Sequence, residues 1–136
     1  MSEGTLTGRC ACGAFRYRFD PKGAVTDYCH CKTCQRWSGA PVTAWAQVPV
    51  TQFEIVAGEV KSFQSSSRGV RHFCGQCGSP VYMTDPEGKG VGIMLGTVDD
   101  PSALAPKGHG WVSEQVSWLK IDDHLPRWPG DAPYDR

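Results

Sequence analysis

Seven cysteines stand in three tight clusters along 136 residues, and they set the terms on which this chain can fold. The order is Cys10-Ala11-Cys12-Gly13, then Cys29-His30-Cys31-Lys32-Thr33-Cys34, then Cys74-Gly75-Gln76-Cys77-Gly78. An odd count leaves one thiol out of any disulfide scheme, and the opening MSEGTLTGRC has no basic-then-apolar segment of the kind that directs export. A cytoplasmic location is therefore expected. In that reducing compartment, clustered thiols hold metal ions or do chemistry.

The clusters sort into two sets. The first and third each end in glycine directly after the last cysteine. A turn that brings two sulfurs to one ion, about 2.3 Å from each, must fold tightly, and glycine permits the positive φ such a turn needs. Cys10, Cys12, Cys74 and Cys77 are thus expected to be two halves of one tetrahedral zinc site. Cys10 and Cys12 are read as neighbours on one face of an extended strand. Closing that site would tie the N-terminal region to a turn some sixty residues later and supply folding free energy that a small core lacks.

Cys29, Cys31 and Cys34 offer three ligands where tetrahedral zinc takes four, the pattern of a catalytic metal with an open position. Three thiolates around Zn²⁺ leave a net charge of about −1, which suits the metal to a soft thiolate better than to making hydroxide. Lys32 and Arg36 could offset that charge. A helix beginning near Cys34 would help keep its thiol ionised. Two alternatives stay open: a histidine (His30, His72, His109 or His124) completes a purely structural site, or the trio is metal-free. His30 is least suited, because alternate residues face away from its cysteine neighbours.

Lys plus Arg and Asp plus Glu each total 14, so the net charge is zero and the pI about 6.9. No basic excess points to nucleic acid, and nothing points to a membrane surface. Short β-favouring runs recur at residues 15–19, 42–48, 52–56, 60–64, 70–73, 91–95 and 116–121. Gly58-Glu59 reads as a hairpin turn between two of them. Lys32–Ser38 reads as a helix, and 100–104 as a brief turn with Asp100 as cap and Pro101 at its first position. Sixteen glycines and ten prolines favour many short strands over long helices. The expectation is one mainly β domain over residues 1–125 and a proline-bearing surface tail over 126–136.

GRCACGAFRY, YCHCKTCQRWSGAP, FCGQCGSPVY and the closing WLKIDDHLPRW together resemble the glutathione-dependent formaldehyde-activating enzyme family, which includes centromere protein V. The resemblance implies a β-tent of short antiparallel sheets around a structural zinc on Cys10, Cys12, Cys74 and Cys77. It also implies a second zinc on Cys29, Cys31 and Cys34. The implied activity is that of a carbon–sulfur lyase, which joins a small thiol such as glutathione to a small aldehyde such as formaldehyde, or cleaves the adduct. The other function class kept open is a non-catalytic zinc scaffold that binds a thiol or a protein. Motifs of zinc deaminases, HExxH proteases, serine hydrolases and phosphate-cradling loops are absent. Arg36 is a candidate for a substrate carboxylate, His109 for a fourth ligand or proton carrier, and Trp111, Trp118 and Trp128 for packing.

Overall fold

A computed structural model describes residues 4–133. Among the described residues, ten strands form two sheets, mainly antiparallel, beside one α-helix, as the fold class read from the sequence requires. The smaller sheet has the order β1-β2-β5, made of Leu6–Arg9, Arg16–Phe19 and Phe53–Ala57. The larger runs β10-β3-β4-β9-β8-β7-β6. Its strands are β3 (Val25–Cys29), β4 (Thr43–Pro49), β6 (Val60–Ser66), β7 (Gly69–Cys74), β8 (Pro80–Thr84), β9 (Gly90–Met94) and β10 (His109–Gly110). All neighbours pair antiparallel except β10, which lies parallel to β3.

Alternation in β2 builds the core. Arg16 and Arg18 face solvent while Tyr17 and Phe19 are buried, and Phe15 is buried just before them. Their rings meet the larger sheet: Phe15 lies 6.0 Å from Tyr82, and Phe53 bridges Tyr17 at 5.4 Å and Tyr82 at 4.8 Å. Val81, Val91, Ile93, Ala46 and Val48 complete the packing. The Tyr17 hydroxyl escapes an unpaired burial by bonding Thr97 Oγ1 at 2.7 Å.

Three sequence expectations are corrected. Gly58-Glu59 is no hairpin, because β5 pairs with β2 while β6 pairs with β7, so the chain crosses between sheets there. Gly58, at φ +85°, makes the crossing: a Cβ would lie 2.3 Å from Ala14 O. Residues 116–121 form no strand; a turn closes through Leu119 N–H to Val116 O, and Trp118 is 71% exposed rather than packed. The nearby edge, β10, is already covered by the chain around Arg127 and Trp128. Asp100 Oδ1 accepts from Ser102 N–H, but the turn that follows is 3₁₀, over Ser102–Leu104, and its N-cap is Pro101 rather than Asp100.

Residues 126–133 run along the surface, held by Trp128 N–H to His109 O, Trp111 N–H to Gly130 O and Ser113 Oγ to Pro129 O. The rest of the expected tail, 134–136, lies outside the described residues. Trp111 carries Arg68 5.1 Å above its ring, and Trp128 packs on Gly108. Among the described residues no helix is long and apolar enough to cross a membrane.

Candidate metal centres

The sulfurs of Cys10, Cys12, Cys74 and Cys77 all lie within 4.8 Å of one another, and none forms a disulfide. Cys10 to Cys12 is 3.5 Å and Cys12 to Cys74 is 3.8 Å. A tetrahedron with metal–sulfur bonds of about 2.3 Å has edges of about 3.8 Å, so the donor set fits one ion.

Local folding explains the convergence, though not through a strand. β1 ends at Arg9, and Cys10–Gly13 is a turn closed by Gly13 N–H to Cys10 O. Extended backbone would have kept the backbone N–H groups in a ladder; the turn frees them for sulfur. Ala14 and Phe15 N–H point to Cys12 and Cys10 at 3.4 and 3.3 Å. The second half repeats the device, with Gln76 and Cys77 N–H on Cys74 at 3.3 and 3.4 Å. Gly13 and Gly78 both sit at φ +80°, the conformation each turn demands. Ser79 ties the halves together by accepting from Ala11 N–H. Its hydroxyl and backbone hydrogen bonds also bring the Cys77 thiol down to about 5.

The second cluster sits where β3 hands over to the helix α1, Lys32–Ser38. Cys29 ends the strand, Cys31 is the helix N-cap and accepts from Cys34 N–H, and Cys34 is the third helical residue, buried. Cys29 lies 3.4 Å from Cys31 and 3.5 Å from Cys34. No histidine or carboxylate joins these three within the same reach among the described residues. Hydrogen bonds shared with Cys29 and Cys31 draw the Cys34 thiol far below its usual range against the cost of burial, and the Arg71 guanidinium adds to the shift. Cys29 moves the other way, raised by the hydrogen bonds it shares with Cys31 and Cys34 and by burial.

The histidines go elsewhere. His30 Nε2 bonds His109 Nδ1 at 2.9 Å, and His109 Nε2 donates to Asp123 Oδ2 at 2.7 Å, a chain from two fully buried histidines to a half-buried carboxylate. Burial, with His109 beside it, pushes His30 down to about 4. His109 is a fully buried strand residue stacked on Tyr28. His72 bonds Ser62 and Thr84, and His124 is exposed. Two residues past Cys34 on a helix is about 200° of rotation, so Arg36 faces solvent beside an open groove of about 600 Å³ shared with Lys32, Gln35 and Trp118. No thiol lines that groove.

The residue that sequence reasoning missed is Arg71. Its Nη1 lies 3.4 Å from Cys34 Sγ, its Nε donates to Ser65 Oγ at 3.0 Å, and it is 4% exposed. Trp37 and Trp45 flank the guanidinium at 5.2 and 5.9 Å. Sequence carried no signal for it, because β7 and α1 meet only in the folded chain.

Two interlocked sheets with a closed four-thiol cluster and an open three-thiol cluster define a small β protein equipped to hold two metal ions. The family described as glutathione-dependent formaldehyde-activating enzyme matches residues 5–114. The chain belongs to that family. Among curated proteins it is 32% identical over 84 residues to an uncharacterized lyase of Schizosaccharomyces pombe, covering 60% of this chain and 59% of that one. It is also 25% identical over 127 residues to a Halomonas elongata protein named for the same formaldehyde-activating activity, covering 86% and 81%. A crystal structure of a Rhodobacter sphaeroides protein shares the fold, with TM-score 0.59 at 18% identity over 90% of this chain and 100% of that one.

Proposed function

We propose that this chain is a zinc-dependent carbon–sulfur lyase-type enzyme that joins a glutathione-like thiol to a formaldehyde-like aldehyde, or cleaves the adduct. The observation that carries the reading is the contrast between the clusters: four thiols close one site, while three with no fourth protein ligand in reach among the described residues leave the other open. Cys10, Cys12, Cys74 and Cys77 would hold the structural ion, and Cys29, Cys31 and Cys34 the working one. Zinc, when bound to the trio, supplies a positive centre that keeps thiols ionised and accepts a soft ligand from solution.

The protein's own part is positioning. α1 fixes Cys31 and Cys34 through the cap, and Gln35 Nε2 holds the loop by donating to His30 O and Glu114 O. The overall change is balanced without a cofactor: the thiol sulfur bonds the aldehyde carbon, the carbonyl π pair moves to oxygen, and the thiol proton ends there. Bringing the two reactants together supplies the rate advantage. None of the seven cysteines is in a disulfide.

The test is exchange between glutathione, formaldehyde and their adduct, followed by exchange NMR with and without protein. Cys31→Ser should lose the acceleration while keeping the fold and one tightly held zinc. If the parent leaves the spontaneous rate unchanged, the enzyme reading fails and a zinc scaffold remains; if Cys31→Ser accelerates exchange as the parent does, the three-thiol centre is not the seat of the activity.

A further inference from the structure

We propose that Arg71 is a positioning residue for the three-thiol centre, the buried cation that offsets its negative charge and sets its hold on the metal. The inference rests on the reading of Cys29, Cys31 and Cys34 as metal ligands. Lys32 and Arg36, the cations nearest in sequence, do not fill this role: both are exposed, Lys32 Nζ bonds Gln35 Oε1, and Arg36 faces the groove.

Arg71 has the placement they lack. A guanidinium taken out of water needs a counter-charge, or its burial is very costly. The ion pairs among the described residues include none to Arg71. Its guanidinium meets a serine hydroxyl, two indole faces and Cys34 Sγ, and across the sheet Arg71 faces Phe63 and Met83. The indoles and serine orient the fork but carry no charge, so the anion that balances Arg71 is the thiolate cluster itself. The relation is mutual. A trio of thiolates around a divalent ion carries about −1, and one fixed guanidinium against it brings the ensemble to neutrality. Groups that hydrogen-bond to metal ligands orient them, and losing one typically costs 10–100-fold in metal affinity.

The experiment is cobalt(II) and zinc titration of the full chain against competing chelators, read by the sulfur-to-cobalt charge-transfer bands, for the parent, Arg71→Met and Arg71→Lys. The four-thiol site serves as an internal control for folding. We expect Arg71→Met to weaken the second metal about 10–100-fold, shift its bands, and leave the first metal unchanged. Arg71→Lys, which keeps the charge but loses the planar fork, should fall between Met and the parent. If Arg71→Met fails to fold, Arg71→Lys decides alone: unchanged second-site affinity and bands overturn the proposal, and a selective loss supports it. A parent binding two ions with Arg71→Met binding both equally well overturns the role of Arg71 alone. A parent that takes up a single ion overturns the metal reading, and this inference with it.

Discussion

Withdrawing metal from the four-thiol cluster should unfold this protein at a markedly lower temperature. The ion would join Cys12 to Cys74, 62 positions apart. Chain-entropy arithmetic for a crosslink over a loop of that length gives about 4 kcal/mol of stabilisation. That is a large share of the roughly 5–15 kcal/mol that holds a domain together. With an unfolding entropy of about 0.29 kcal/mol/K for 136 residues, the melting temperature should drop by about 15 °C. The assay is thermal unfolding by circular dichroism with zinc, with a strong chelator, and for Cys74→Ser, which removes a buried ligand at nearly constant volume. Cys31→Ser provides the contrast. Cys29 and Cys34 lie five positions apart, so their loop is short and the same arithmetic allows about 2 kcal/mol at most. A parent protein whose melting point moves by less than about 5 °C on chelation would refute the crosslink as a source of stability.

Gly58→Ala should destabilise the chain by about 3 kcal/mol in urea unfolding, the sum of a left-handed backbone cost and a forced shift of Ala14 and Phe15. Because Ala14 N–H bonds Cys12 Sγ, the same variant should release the first metal faster to a chelator; full stability would contradict the packing described. His109→Phe leaves His30 Nε2 buried without its partner and should cost about 1–3 kcal/mol. Loosening of the Cys29–Cys31 loop should follow, seen as faster loss of the second metal, and equal loss rates would argue that the chain of histidines does not hold that loop.

Sequence revealed what is decided locally. β2 shows strict alternation because one side of a two-faced sheet is wet, and α1 is bounded by a thiol cap and by Gly39 in the left-handed conformation. β3 and β8 escaped notice because neither alternates: both bury adjacent residues, Thr26 with Asp27 and Val81 with Tyr82. A strand in the middle of a sheet with structure on both sides loses the period that marks it. The error at residues 116–121 has the opposite cause. Their valine, tryptophan and isoleucine favour strand, yet propensity needs a free edge to pair with, and β10 had already been covered by residues further along.

The candidate site divides along the same line. Thiol pairs two or three residues apart can be read as ligands without knowing the fold, since spacing alone brings their sulfurs to one ion. Charge compensation cannot be read that way. Lys32 and Arg36 are near Cys34 in sequence, but helical rotation turns Arg36 outward. Arg71 is 37 positions away and arrives through the pairing of β7 with β6 and β8. His109 likewise reaches His30 from 79 positions away, because β10 adds to β3 in parallel, a pairing that no local pattern encodes. Candidate ligands are thus set by short-range geometry and their electrostatic surroundings by long-range register. For relatives with the same cysteine spacing, the reactivity of the open cluster should therefore follow the residue at the Arg71 position of β7 more closely than the charges flanking the cysteines.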